Sequence, residues 1–364
     1  MDFALDDEQA LLVATLRRWS EKQLRAWAAE ADRAAAAPAQ LWKSAGELGL
    51  MVDAVPEAAG GLLDGDYSHL ARALRGYELG RGCAAMAALV ESNVEPALAV
   101  ARWGSAAAKD SLFSALGAGR LAGFAHDFYE RLAVTADARG GLAVSGRLGP
   151  LPGLAAASHV LVSARAGERP VVFLLAVPAG RAAPATPSGW RAAAWGSLAL
   201  ERFEVAPEMV LGGAAVEEIL AWYRVSLAAR GLGVAAAAIE YAAAYAEDRI
   251  QFGQPIGRFQ SLARMRDSNQ TAIAAARAYV LQAAWEIDRG AAGAADTASR
   301  ARDLAAEVVS RATIEAVQIH GGYGFVNDFP VEKLMRDARA FEVLGGNEAF
   351  ARVLAQTTSS RGGA

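Results

Sequence analysis

Apolar residues recur at helical spacing through the first third of the chain. They fall three or four positions apart, as in Leu11, Leu12, Leu16, Trp19, Leu41, Trp42, Ala45 and Leu48. This spacing places them on one face of amphipathic helices. Pro and Gly in residues 56–61 indicate a loop, and a further helix is expected through Leu79. The pattern predicts an N-terminal helical domain over residues 1–120.

The spacing of apolar residues changes between residues 121 and 212. Short runs of Val, Leu and Phe alternate with polar positions, and turn residues separate them. Residues 133–136 and 142–145 flank the turn Arg139-Gly140-Gly141, and residues 159–162 precede residues 171–175 across a polar turn. Alternation with a period of two over such lengths is typical of paired strands. We therefore expect a central antiparallel β domain over residues 121–212.

Helical spacing returns in residues 213–364, with breaks near Gly253, Gly290 and Gly322. Strands gathered between two helical blocks indicate separate domains and not an alternating βαβ sheet. No Gly-x-Gly-x-x-Gly follows a strand, so a dinucleotide-binding fold is not indicated. The order predicts a mainly α protein with a C-terminal helical bundle.

Composition and charge exclude several classes of function. Much of the 54% hydrophobic fraction is alanine, which favours helix. A net charge of -4 without a basic stripe argues against nucleic-acid partners. The single cysteine, Cys83, and four histidines without ligand spacing predict neither a disulfide nor a metal site. No long uncharged apolar run and no basic leader occur, so we expect a cytoplasmic chain that does not enter membranes.

Three segments carry a resemblance to a known family. The first is Arg-Ile-Gln-Phe-Gly-Gln-Pro-Ile-Gly-Arg-Phe-Gln at 249–260. The second joins Gln-Ile-His-Gly-Gly-Tyr-Gly at 318–324 to Pro-Val-Glu-Lys-Leu-Met-Arg-Asp-Ala at 330–338. The third comprises short N-terminal matches at 5–9, 47–50, 56–61 and 78–81. In this order and spacing they resemble the acyl-CoA dehydrogenase family.

The resemblance implies a fold and a chemistry. Family members have an N-terminal helical domain, a central β domain and a C-terminal four-helix bundle. They bind FAD and oxidise the α,β bond of an acyl-CoA thioester. Six residues match the family's FAD contacts: Arg249, Phe252, Gln260, Gln318, Gly321 and Gly322. An arginine suits a pyrophosphate, and adjacent glycines let backbone N–H groups approach an anion.

The catalytic base of the family is missing at both places where members carry it. Most members have a glutamate at the position that Gly345 occupies here. A minority have it one residue before an arginine on the first long helix of the C-terminal domain, which matches Tyr223 before Arg224. A phenol is almost wholly protonated at neutral pH. The sequence therefore predicts no catalytic residue at either position.

A displaced base is the first alternative. Glu342 and Glu348 lie three residues before and after Gly345, while Asp337 belongs to the Arg-Asp-Ala stretch. Either glutamate would make the chain a homomeric acyl-CoA dehydrogenase acting on an unusual thioester. A second alternative is a structural paralogue that binds no flavin. Whether Arg224 meets substrate stays open.

The β domain also departs from the family. The loop that normally touches the flavin ring, Thr-Glu-Pro-x-x-Gly-Ser-Asp, is replaced by Ala-His-Asp-Phe-Tyr-Glu-Arg at 125–131. A second aromatic segment that packs on the flavin is replaced by Gly-Pro-Leu-Pro-Gly at 149–153. In the family, these loops and the glutamate serve a subunit's own flavin ring, whereas the six retained residues reach the FAD of a neighbour.

This division between retained and lost motifs leads to a specific hypothesis. The chain resembles the non-catalytic subunit of a heteromeric acyl-CoA dehydrogenase that acts on steroid side-chain thioesters. We expect a paralogous partner that carries the glutamate, in a heterodimer or a dimer of heterodimers, and FAD shared between the two chains. The expected electron acceptor is an electron-transfer flavoprotein. The resemblance also implies one FAD for every two chains.

Overall fold

The chain changes from helix to strand and back to helix where the spacing of apolar residues changes. The computed structural model describes residues 4–128, 130–212 and 216–346. The N-terminal block contains α1 (Asp7–Trp19), α2 (Arg25–Ala34), α3 (Gln40–Glu47), α4 (His69–Val90), α5 (Val94–Trp103) and α6 (Ala106–Gly117). A π-helical turn, Ser20–Leu24, joins α1 to α2. The predicted N-terminal helical domain is confirmed.

Polar caps determine where several of these helices begin. The Asp6 side chain accepts from the backbone N–H of Gln9 at 2.8 Å, and the Gln9 side chain accepts from the backbone N–H of Asp6. This capping box satisfies donors that the first helical turn leaves unpaired. The Ser68 and Ser105 side chains also cap α4 and α6, each accepting from the backbone N–H three residues later. The helix starts therefore follow from local sequence.

The central domain consists of two four-stranded sheets. Its strands are β1 (Leu121–His126), β2 (Leu132–Ala136), β3 (Leu142–Leu151), β4 (Ala157–Ala166), β5 (Arg169–Ala176), β6 (Ala183–Pro184), β7 (Gly196–Val205) and β8 (Val210–Leu211). One sheet has the order β2-β3-β7-β6 and the other β1-β4-β5-β8. A core that includes Val144 and Phe173, both fully buried, lies between them. The sheets hold the β1 end against the C-terminal helices.

The predicted hairpins form with antiparallel registers. Val134 lies opposite Val144 in β2 and β3, and Leu161 lies opposite Leu174 in β4 and β5. β1, in contrast, pairs with β4 in parallel, so this sheet is mixed. In sequence, β2 and β3 lie between β1 and β4, and their hairpin belongs to the other sheet. A connection of this length lets the chain return in the same direction, which a tight hairpin cannot do.

The C-terminal block is a bundle of long helices. It contains α7 (Val216–Asp248), α8 (Gln260–Asp288), α9 (Ala294–His320) and α10 (Val331–Val343), with the short hairpin of β9 (Ile250–Gln251) and β10 (Gln254–Pro255) after α7. Alanines such as Ala235, Ala237 and Ala312 are fully buried between helices. Small side chains and strong helix propensity explain how alanine-rich segments pack so closely.

α7 is also long and apolar enough to cross a membrane, and the bent pair α4 and α5 passes the same test when taken together. The most apolar window of α7 is 72% buried inside the fold. Helices in the core of a globular protein have the same composition when other helices surround them. α7 packs chiefly against α4 and α9, and also against α8 and α10.

The Arg-Asp-Ala stretch on α10 connects the three domains. The buried Asp337 carboxylate accepts from the backbone N–H of Trp190 at 2.7 Å and from Lys333 Nζ at 2.6 Å. Arg336 donates to Asp32 on α2 at 2.7 Å and to the Ser188 carbonyl at 2.7 Å. These bonds attach the β domain and α2 to α10. They fix the turn that follows α10, where the first candidate base position lies.

Candidate functional site

The two positions where the base is expected meet in the fold. Arg224 on α7 donates from Nε to the carbonyl oxygen of Gly345 at 3.1 Å, across 121 residues of sequence. Tyr223 precedes Arg224 directly, and Gly345 follows the end of α10. The sequence match and the fold therefore indicate the same small region as the reacting centre.

A second arginine binds backbone carbonyls just before Gly345. Arg302 on α9 donates from Nε to the Leu344 carbonyl at 3.0 Å and from Nη2 to the Phe341 carbonyl at 2.8 Å. Its side chain is only 2% exposed. The sequence reading missed this residue. The sequence feature that could have identified Arg302 is its place on the alanine-rich, buried face of an amphipathic helix, beside Ala301 and Ala305.

Tyr223 has the chemistry of a hydrogen-bonding phenol and not of a base. Burial is the main cause that raises its pKa to about 12. Its ring lies edge-on to Phe124 of β1, with centroids 5.4 Å apart. Glu95 lies close enough to influence that pKa, but it pairs with Arg72 at 2.8 Å, and both side chains are 3% exposed. Neither group is available to take a proton from a substrate carbon.

His126 lies at the end of β1, in the segment that replaces the family's flavin loop. Its Nδ1 is 3.0 Å from the Ser163 hydroxyl. Burial, followed by the positive charge of Arg224, lowers its pKa to about 4. The imidazole is therefore neutral at physiological pH. A base of such low pKa is poorly matched to removing a carbon-bound proton.

The proposed relocated bases differ in what the structure says of them. Glu342 pairs with Arg339 at 2.7 Å, and its side chain is 40% exposed. It lines an open groove of about 840 Å³ along the outer side of α9, together with Arg311 and Ile314. It is thus an exposed, ion-paired carboxylate. Glu348 lies outside the described residues.

Half of the predicted FAD residues meet in one outer cleft. Arg249, Gly321 and Gly322 line a cavity of about 480 Å³, with Tyr245 and Tyr323 among the other walls. The Arg249 guanidinium lies 5.7 Å from the Tyr323 ring centroid, a cation–π distance that orients its donors. The cavity lies where α7 ends and α9 gives way to a tight turn, Gly321–Phe325.

The glycines of this cleft leave its wall open. Gly321 has φ +57°, and a Cβ added there or at Gly322 would meet no atom within 4 Å. Their backbone groups are exposed. A flat, uncovered backbone beside an arginine fits a pyrophosphate, which binds N–H groups and guanidinium donors. The donor set therefore suits the outer part of FAD.

The other three predicted residues do not line this cavity. Gln260 begins α8, Gln318 lies near the end of α9, and both are exposed. The Phe252 side chain is 94% exposed, and its ring lies 6.2 Å from that of Phe259. All six predicted FAD residues thus lie on the outside of the chain.

The region beside the first candidate base position does not fit a flavin ring. A ring that reacts at the base position must lie between the Gly345 turn and the β domain. In this chain the Phe128 side chain, two residues after β1, packs directly against Gly346. The chain thus has residues suited to the outer part of FAD at the end of α7, while its own Phe128 ring fills a separate region beside Gly346.

Comparison with known protein families gives matches to both helical blocks. Residues 6–120 match the family described as "Acyl-CoA dehydrogenase, N-terminal domain". Residues 211–357 match "Acyl-CoA dehydrogenase, C-terminal domain". Together these matches cover more than half of the chain.

Two curated relatives match over nearly their whole length. The benzylmalonyl-CoA dehydrogenase of Aromatoleum aromaticum is 30% identical, over 99% of this chain and 100% of the relative. A probable acyl-CoA dehydrogenase of Bacillus subtilis is 29% identical, over 97% of this chain and 98% of the relative.

Solved structures agree with the fold. The butyryl-CoA dehydrogenase of Megasphaera elsdenii superposes with a TM-score of 0.85 at 25% identity, over 98% of this chain and 99% of that one. A glutaryl-coenzyme A dehydrogenase bound to glutaryl-CoA superposes with a TM-score of 0.85 at 27% identity, over 97% and 95% of the two chains.

Proposed function

The chain belongs to the acyl-CoA dehydrogenase family, and from that premise we propose that it is a non-catalytic subunit of a heteromeric FAD-dependent acyl-CoA dehydrogenase. The observation that carries the proposal is the contact between Arg224 and Gly345. It joins the two places where the family keeps its base. The chain has tyrosine and glycine at them.

The residues that suit FAD lie where a neighbouring chain would reach them. Arg249, Gly321 and Gly322 open onto an outer cleft, and the Phe252 ring is almost fully exposed. FAD bound across such an interface would have its pyrophosphate held by this chain and its reactive ring held by the partner. The partner would be a paralogous subunit that carries the glutamate.

The chemistry is then divided between two chains. The partner's glutamate would take the proton from the α carbon of the acyl-CoA. FAD, when bound, supplies the acceptor for the hydride from the β carbon. This chain would anchor and orient the cofactor, which contributes through positioning. The partner's pocket would set the acyl group, for which a steroid side-chain thioester is our expectation from the resemblance, and the expected acceptor is an electron-transfer flavoprotein.

Expression of the chain with and without its paralogous partner tests the proposal. Alone, it is expected to purify without stoichiometric FAD and to turn over no acyl-CoA with an artificial acceptor. A yellow, active chain on its own would overturn the proposal.

The contribution of this chain to FAD is tested within the complex. Arg249→Ala is expected to weaken FAD binding by about ten-fold or more, as loss of a charge-assisted contact to a phosphate would do. Arg300→Ala is the matched control, because Arg300 is an exposed arginine that pairs with Asp296 on α9. Equal FAD affinity in the two variants would contradict a role for Arg249.

A further inference from the structure

The segment after β1 brings an aromatic ring to the reacting centre. The Phe128 ring lies edge-on to the His126 ring, with centroids 4.3 Å apart. It also packs on the backbone of Gly346, in the turn that carries the base position. The ring therefore bridges the β domain and the end of the C-terminal bundle.

The backbone on the α10 side of this contact is shaped for the ring. Gly346 has φ +76°, a conformation that L side chains rarely adopt. A Cβ added at Gly346 would overlap the Phe128 ring, with Cζ only 2.9 Å away. Any other residue would be strained at this position and would also displace the ring. Glycine is thus needed for both the turn and the contact.

The loop that carries Phe128 is held in place on its other side. The Asp127 carboxylate accepts from the backbone N–H of Arg131 at 2.9 Å and of Leu132 at 2.8 Å. The backbone N–H of Asp127 donates to the Ser163 carbonyl at 2.9 Å. These bonds fix Asp127, the residue before Phe128, to β4 and to the start of β2.

The Phe128 contact limits the space available for a flavin ring and a thioester. A flavin ring stacked on a thioester between two walls needs those walls about 10 Å apart or more, because each of the three successive contacts takes roughly 3.5 Å between atom centres. Here the β-domain wall and the Gly346 turn are in direct van der Waals contact through one ring. A flavin and a thioester cannot both enter unless Phe128 leaves.

We propose that Phe128 occupies the flavin-ring position of this chain's own site and closes it. This inference rests on the proposed function and deepens it. The chain binds the outer part of a neighbour's FAD, and its own side chain excludes the ring of a second FAD. The inactivity expected of this chain then has two causes: the missing glutamate and the Phe128 ring at the flavin-ring position.

Photo-crosslinking reports the position of residue 128 directly. A photoreactive phenylalanine at position 128, in the complex with the partner, is expected to crosslink to the tryptic peptide 340–352. The yield is expected to be the same with and without saturating FAD. The same probe at Phe252 is the positive control and is expected to attach to FAD or to the partner. A crosslink at 128 that disappears when FAD is added would overturn the proposal.

A second measurement covers the case in which the bulky probe disturbs folding. Lumiflavin, the flavin ring without its adenine and pyrophosphate, is titrated against the complex and followed by fluorescence quenching. Phe128→Ala is expected to bind it at least about ten-fold more tightly than the unchanged chain, because an apolar slot has been opened. Phe128→Tyr keeps the ring and is expected to show no gain. A gain below about two-fold in Phe128→Ala would contradict closure.

The two proposals fail in different ways. If the chain alone binds one FAD per chain, the heteromeric role is wrong. If the crosslink at 128 disappears with FAD while the complex holds one FAD for every two chains, closure by Phe128 is wrong and the heteromeric role stands.

Discussion

Arg224 and Gly345 lie 121 residues apart in sequence, yet the Nε of the arginine donates to the carbonyl of the glycine at 3.1 Å. This contact closes the reacting centre with a side chain that has no proton-accepting capacity. It also depends on the glycine backbone, because Gly345 has φ +80°. A glutamate at position 345 would not adopt this conformation without strain.

Restoring a side chain at this position is expected to destabilise the fold. Gly345→Ala places a Cβ 3.0 Å from Leu227 Cδ2 in addition to the cost of positive φ. We expect a loss of about 1–3 kcal/mol in the free energy of unfolding. Gly60→Ala is the control, since Gly60 has φ +83° with no atom within 4 Å of an added Cβ. Denaturant titration measures the unfolding free energy of both variants, and we expect the larger loss in Gly345→Ala. An equal loss would show that the contact with Leu227 adds nothing to the cost of the positive φ.

Glu342 is not expected to act as a base. Its carboxylate is exposed and pairs with Arg339, on the groove side of α10. In an active complex, Glu342→Gln should leave kcat unchanged to within about two-fold, the range expected for a surface pair. A loss of about a hundred-fold or more, as general-base removal produces, would favour the relocated-base alternative.

The free energy of unfolding is expected to fall in mild acid because His126 is buried in its neutral form. The folded-state pKa of this imidazole is about 4, below its ordinary value of 6.5. The unfolded chain therefore binds more protons as pH falls below 6.5, and the folded state loses stability down to about pH 4. His126→Gln removes this proton uptake. Its unfolding free energy should depend less on pH across that window, and an unchanged slope would contradict the burial of a neutral His126.

The other histidines with lowered pKa values contribute to the same acid window, and burial is the main cause for each of them: His69, His159 and His320. They remain in the His126 variant. The comparison between variant and unchanged chain therefore isolates the contribution of His126.

Asp337 is expected to be among the most sensitive positions in the chain. Its carboxylate is fully buried and accepts from Lys333 and from the Trp190 backbone. Asp337→Asn leaves the Lys333 charge buried without its counter-ion, which should cost about 3–5 kcal/mol. Asp296→Asn breaks the exposed pair with Arg300 and should cost less than about 1 kcal/mol. Thermal unfolding compares the two, and similar losses would mean that Asp337 is not a structural centre.

The sequence predicted the layers of the fold because helix and strand leave different spacings of apolar residues. It placed the hairpins at residues 133–145 and 159–175, where the turn residues are local signals. The parallel pairing of β1 with β4 could not be predicted from the sequence, because that contact depends on how the two sheets assemble.

The candidate site was predictable in parts. Motif register identified Gly345 and Tyr223 as two alternative base positions, but it did not predict that Arg224, next to Tyr223, contacts Gly345. No family motif includes Arg302 or Phe128, and the position of Arg302 on a buried helix face indicated burial without indicating its partner. The effect of each depends on a backbone carbonyl or a bare glycine brought close by tertiary packing, which no local pattern encodes.

The most direct test of the account is the number of flavins in the assembled protein. The chain is co-expressed with the paralogous partner that we propose, and the mass of the complex and its FAD content are measured on the same sample. We expect one FAD for every two chains, with this chain supplying the outer contacts and the partner the ring site. One FAD for every chain would contradict both this division between the chains and the closure of the ring site by Phe128.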